Sequence, residues 1–391
     1  MKKVIFCIIF LISTLSLVLI NSLDSLDKKS LKNNIKYLED NKISNIKTDE
    51  NSTIIYKINK NNFVKIYPNT EIGINNGEIH LKYGILFFHD KIENKYDIAT
   101  TFLLKNVWGK ANYFRIKIPN SITTFNAVTK VNYLDQNLTI TPTLNKLFTN
   151  ENYTYYGFFI PYSPLWTDKK VEVYVELLNN KNTICKIKNS IDIESVVWQK
   201  QTIKFNETKS NELTNVDRKK YEKEKSDRYI IWNKNSENPL FKSNFSYPLQ
   251  NYERVSSDFG LIREWTFSNG KVNSKDTHLG VDFPGIINGN IYAPADGIVK
   301  SAEANTEYLG NIIIIDHGHS LFTDYNHLNE MVVTVGQFVK KGEIIAKMGM
   351  TGAATGVHLH WSSRIYGVPV DPRTFLDIED LFKDTDDLSK E

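Results

Sequence analysis

Five side chains that could do chemistry together, His278, Asp282, His327, His358 and His360, sit in three short motifs. These are Thr277-His-Leu-Gly-Val-Asp282, Asp324-Tyr-Asn-His-Leu328 and Gly356-Val-His-Leu-His-Trp361, with Tyr308-Leu-Gly-Asn311 between the first two. Imidazoles with a carboxylate form a zinc-type ligand set, and a catalytic zinc site takes three protein ligands and keeps one position open. His358 and His360 are two residues apart, so a strand points both to one face. Val357, Leu359 and Trp361 suit such a strand. His278 and Asp282 would lie about 13 Å apart on a straight strand, too far to share an ion. Gly280 opposes a helix, so a strand that bends or bulges at Gly280 is expected. The His-Glu-x-x-His helix of many zinc proteases is absent from the sequence. His317-Gly-His319 has the same spacing as His358 and His360, but Gly318 after the Ile312-to-Asp316 run predicts a hairpin turn rather than a ligand pair. His80 and His89 have no partner motif and are read as structural.

The elements that must hold these residues are strand-length segments joined by glycine-centred turns over 245–376, with no helix before the tail that follows Pro372. They predict an antiparallel β domain with its polar side chains drawn from different strands. The Gly349-to-Gly356 loop, with glycines and threonines, is expected to wall a groove that an extended peptide could approach closely.

His278-Leu-Gly-Val-Asp282, Tyr325-Asn-His327-Leu and His358-Leu-His360-Trp, in that order, resemble the signature of the lysostaphin-type (LytM-like) zinc metallopeptidases, which cut the peptide part of peptidoglycan with a duplicated-hybrid-motif β domain. Ser257-Asp-Phe-Gly260, Ala293-Pro-Ala-Asp-Gly297, Ile315-Asp-His-Gly318 and Val339-Lys-Lys-Gly342 extend the likeness, which runs from about Phe245 to Leu376. The resemblance implies one zinc ion per chain on His278, Asp282 and His360. It also implies that His327 and His358 stand unligated beside the attacking water as proton acceptor and oxyanion stabilisers, and that Tyr308 faces the oxyanion. Ser362 and Ser363 follow Trp361 where such proteins often carry an acidic residue, a departure that touches strand packing or substrate contact and not the metal.

The rest of the chain bounds the class. The sequence has 391 residues, room for two or three domains, and ordinary globular composition. A net charge of +3 with interspersed signs is too mild for a nucleic-acid partner, and none is expected. Met1-Lys-Lys followed by the uncharged run Val4 to Ile20 reads as an export signal or membrane anchor over 1–22, which would place the protein in the cell envelope, in the periplasm. Residues 23–62 are rich in Asn, Lys, Asp and Ser and read as a flexible spacer. Alternating runs over 63–205, such as Tyr113 to Ile118 and Lys170 to Glu176, predict an immunoglobulin-like β-sandwich region of one or two modules, a candidate surface for an envelope protein partner. A linker at 206–244 would carry a solvated helix over Glu212 to Trp232, and 377–391 reads as an acidic tail. Beyond the export segment Cys185 is the only cysteine, so stability rests on packed cores, and its Ile184 and Ile187 neighbours predict a buried thiol. The expected fold is mainly β. The expected activity is zinc endopeptidase, with a non-catalytic regulator of a cell-wall amidase and a plain envelope-binding module as the competing classes.

Overall fold

The computed structural model describes residues 98–384, apart from 104–105, 180–181, 235, 237, 252–253 and 267–271, and the backbone of strands between Ile35 and Asp90. The side chains of His80 and His89 and the whole of segment 1–22 lie outside the described residues.

Period-two patterning builds the first half. Lys170–Asn179 buries Val171, Val173, Val175 and Leu177 and leaves the residues between them partly exposed, as a strand with one core face must. Strands from Ile35 to Asp192 assemble into one sheet of eight and one of seven. Phe114, Ile116, Phe158 and Ile160 of the first pack on Val131, Tyr133, Val173 and Val175 of the second. The buried Cys185 thiol belongs to this core. This arrangement is larger than an immunoglobulin domain, which has seven to nine strands in all. It also takes in much of the expected spacer at 23–62: Ile35–Leu38, Asn45–Lys47 and Thr53–Lys57 are all paired strands. Average composition hides short β-formers such as Ile54-Ile55-Tyr56 inside a polar segment.

Ala111–Pro119 departs from the simple pattern, because nearly every residue in it is buried. Phe114, Ile116 and Ile118 face the sandwich core, while Ala111 and Tyr113 join Phe245, Leu321, Ile365 and Phe375 of the C-terminal half. Arg115, on that second face, donates from Nη1 to the carbonyls of Asp380 (2.9 Å), Leu381 (3.3 Å) and Lys383 (2.7 Å). The segment expected as an acidic tail, 377–391, is therefore docked through Asp384. Ile378 and Leu381 are buried, and the Asp384 carboxylate accepts from Asn150 Nδ2 and Tyr155 Oη. Apolar residues spaced three apart explain it, since they give an otherwise acidic segment something to bury.

His317-Gly-His319 forms a hairpin turn, with Gly318, His319 and Ser320 all at positive φ. The two imidazoles diverge. His317 Nδ1 donates to the Asp296 carbonyl (2.7 Å), while His319 bridges the halves, its Nδ1 accepting from Asn145 Nδ2 (3.0 Å) and its Nε2 against Tyr113 Oη (2.7 Å). Burial pushes His319 down to about 3 and His317 down to about 4. In the unfolded chain both titrate near 6.5, so below that pH the unfolded state gains protons that the folded state refuses. Stability contributed by these neutral rings is thus present above pH 6.5 and lost as pH falls towards 4, at about 1.4 kcal/mol per pH unit for each. Urea midpoints at pH 7 and pH 5 should show this loss, and His319→Gln should lose measurably less over the same interval. An identical drop in the variant would rule out His319 as a source.

In the C-terminal half, the strands β1 (Gly280–Pro284), β2 (Gly297–Thr306), β3 (Gly310–Asp316), β4 (Leu321–Met331) and β5 (His358–Ile365) pair antiparallel in the order β1-β5-β4-β3-β2. Leu359 and Trp361 point to the core with Val281, Phe283, Ile313 and Tyr325. By alternation His358, His360, Ser362 and Arg364 share the opposite face. The hairpin Ile262–Thr266 with Val272–Thr277 precedes this sheet, and Lys200–Lys204 adds a third, parallel strand to it.

The linker holds two helices, α1 (Glu207–Thr214) and α2 (Arg218–Trp232). Asn206 and Asp217 side chains accept from backbone N–H groups of their first turns, which splits the single helix expected over Glu212 to Trp232. α2 is not solvated on all sides. Trp232 packs on Ile314 and Phe322, and its Nε1 donates to Asp324 Oδ1 (2.9 Å), so the helix lies against the polar-residue face of the sheet.

Candidate metal centre

His278 lies between the hairpin and β1. Its N–H bonds to the Leu261 carbonyl (2.8 Å), whereas the Asp282 N–H bonds to the Ser257 carbonyl (2.9 Å). The chain thus changes partners between these residues, which shortens the gap that a straight strand would leave. Gly280 is required for a further reason: a Cβ there would stand 2.5 Å from His360 Nε2. On β5, His360 is in register with Asp282 on β1 and Asn326 on β4.

Three donor atoms converge. His278 Nε2 lies 3.1 Å from Asp282 Oδ1 and 3.0 Å from His360 Nδ1, which is 2.9 Å from Asp282 Oδ1. Ligands about 2.0 Å from a tetrahedral zinc sit about 3.3 Å from one another, so the spacing fits such an ion. The proton inventory agrees. His278 Nδ1 donates to the Asp258 carbonyl (2.7 Å), so the neutral ring turns its Nε2 lone pair towards the other two donors. Electron pairs that face one another call for a cation between them. The second carboxylate oxygen of Asp282 accepts from Arg263 Nη2, which also donates to Ser257 Oγ (2.7 Å).

His327 and His358 stand beside this cluster, their ring centroids 4.7 Å apart, with His327 6.1 Å from His360. His327 Nδ1 donates to the Thr351 carbonyl (2.8 Å) and His358 Nδ1 to the Gly356 carbonyl (2.9 Å). Both carbonyls belong to the Gly349-to-Gly356 loop, which therefore sets the tautomer of each ring and leaves Nε2 as the free base. Burial first, then the neighbouring His358 and His360, hold His327 well below the usual imidazole range. Burial likewise pushes His360 down to about 4. For Asp282 burial alone would raise the carboxyl, but His278 and His360 outweigh it and keep it well below the usual carboxylate range.

Tyr308 lines the same cavity as His278, His327 and His360. Its backbone is left-handed (φ 63°), and its ring packs edge-on against Tyr221 (5.1 Å) and Trp265 (6.2 Å). Arg263, Asp324 and several residues of α2, Tyr221, Arg228 and Trp232 among them, also line this cavity, and the sequence reading gave none of them a role at the site. Arg263 was findable only through the hairpin, whose polar strands lack an apolar alternation.

The profile of Peptidase family M23 matches residues 276–372, the stretch that carries all six of these sequence-selected residues. An uncharacterized metalloprotease of Haemophilus influenzae is 41% identical over 128 residues, covering 33% of this chain and 26% of that protein. Peptidoglycan DD-endopeptidase ShyA of Vibrio cholerae is 36% identical over 124 residues, covering 32% of this chain and 28% of its own length. The chain thus spans under a third of the length of either curated relative. The catalytic domain of the antimicrobial peptidase lysostaphin from Staphylococcus simulans aligns over 32% of this chain and 92% of its own, with 28% identity and a TM-score of 0.28. At residues 276–372 the chain carries a peptidase family M23 domain.

Proposed function

We propose that this chain is a zinc-dependent endopeptidase that hydrolyses peptide bonds of peptidoglycan. The observation that carries the reading is the convergence of His278, Asp282 and His360 donor atoms within 4.8 Å of one another, beside two further histidines whose Nε2 atoms are left free. His278, Asp282 and His360 would hold the ion. A zinc ion so held supplies Lewis acidity and lowers the pKa of water to about 7. His327 Nε2 takes the proton of the attacking water, because the Thr351 carbonyl fixes the ring's own proton on Nδ1 and leaves Nε2 as the accepting atom. The oxygen on which charge develops is stabilised by Tyr308 and by His358 on the same side once its Nε2 carries a second proton, since its Nδ1–H is held by the Gly356 carbonyl. The V. cholerae relative, named a peptidoglycan DD-endopeptidase, supports the substrate class over the shared stretch. The basic start and apolar run of residues 1–20 support export to the cell envelope of a bacterium, with the periplasm as site of action. An amidase regulator needs none of these five side chains, so nothing in the site favours that class.

The purified protein should hold one zinc per chain and release muropeptides from isolated sacculi. Chelation should abolish release and added zinc should restore it. Protein that binds no zinc, or that binds zinc and releases nothing, would overturn the reading.

A further inference from the structure

The cavity that contains the metal-site face continues under α2, and a second polar group is gathered there. It has a volume of about 800 Å³ and is lined at one side by His278, His327 and His360, and at the other by Arg228, Asp324 and Arg364. Arg364 follows His360 by four residues on the same face of β5, roughly 13 Å along the strand.

The arginines there are short of partners. The Arg228 side chain, from α2, is 3% exposed, and its Nε and Nη1 are buried with no hydrogen-bond acceptor. Its nearest carboxylate, Glu224, is 4.0 Å away and already accepts from the Glu307 N–H at 2.9 Å. Arg364 Nε likewise has no hydrogen-bond acceptor, while its Nη1 reaches the Gly367 carbonyl at 3.4 Å. Asp324 lies 3.8 Å from it and is occupied by Trp232 Nε1 (2.9 Å) and Ser362 Oγ (3.1 Å). The Arg364 guanidinium lies 4.0 Å over the Trp232 ring, which pins its plane. In the same cavity Asn326 Oδ1 is buried without a donor. Buried cationic N–H groups left without acceptors are strongly destabilising, and a guanidinium fork matches a carboxylate in shape and charge.

We propose that Arg228 and Arg364 form a carboxylate-binding subsite for the peptide substrate, with Asn326 accepting one of its backbone N–H groups. The inference rests on the peptidase reading and names what the substrate must carry: a free carboxylate about four extended residues from the bond that is cut. Peptidoglycan stem peptides, with their free carboxylates, meet that requirement. α2 is then a wall of the substrate groove that selects acidic peptides.

The test compares a synthetic cross-linked stem peptide with its carboxylates free and the same peptide with them amidated. The wild type should favour the free acid, and Arg228→Gln should raise KM for it at least ten-fold, with kcat changed less than two-fold and zinc content unchanged. The preference should vanish in that variant and return in part in Arg228→Lys. Equal losses on both peptides, or no preference in the wild type, would overturn the subsite. Quenching of Trp232 fluorescence by an uncross-linked stem tetrapeptide, free or amidated, needs no cleavage. Selective quenching by the free acid in a protein that cuts nothing would sustain the subsite while the peptidase reading fell. Equal quenching by both would overturn it there too, and this arm also serves if Arg228→Gln does not fold.

Discussion

Asp282→Ala is expected to lose zinc and to reduce muropeptide release by at least about three powers of ten, because the Lewis acid it would help to hold contributes several kcal/mol to the barrier. The geometry makes this position the severest. Oδ1 lies within 3.1 Å of both His278 Nε2 and His360 Nδ1, so it is the only negative charge in a ring of neutral donors. Its other oxygen accepts from Arg263, so removal also frees a half-buried guanidinium beside the remaining ligands. Zinc retained at one per chain in a folded Asp282→Ala protein would sink the assignment.

His327→Ala should behave differently. Release should fall by about 10²–10⁴, the usual contribution of a positioned general base, with zinc content unchanged. His327 has a left-handed backbone (φ 63°) that histidine adopts more readily than alanine, so the folded fraction of the variant is measured alongside its zinc content. Loss of zinc along with activity would make His327 a ligand or a structural residue. Full activity would remove it from the reaction.

The candidate site was more legible in the sequence than the way the chain packs around it. His358 and His360 share a face because strands alternate, and the hairpin at Gly318 separates His317 from His319, so spacing plus local turn chemistry placed both pairs. The hairpin that positions Arg263 escaped because its strands, Ile-Arg-Glu-Trp-Thr and Val-Asn-Ser-Lys-Asp-Thr, have no clean apolar alternation, although Asn269-Gly270 was a turn signal. Tyr113, Arg115 and Lys117 looked like the wet face of a strand. Periodicity reports that two faces differ and is silent on whether the polar one is covered by another part of the chain. α2 misled in the same way: its mostly charged surface concealed the buried Arg228 and Trp232, the second of which anchors it on the sheet.

The three carbonyls held by Arg115 lie 265 to 268 residues further along the chain. Contacts of that range carry the entropy cost of closing a long loop. Until residues 380–383 arrive, the Arg115 guanidinium lacks these three carbonyl acceptors, and the outer face of Ala111–Pro119 stays unsealed. The seam between the halves is therefore a checkpoint on synthesis. Closure of the seam waits for residues 380–383, so the sheet that carries His358 and His360 is made before that seam is shut.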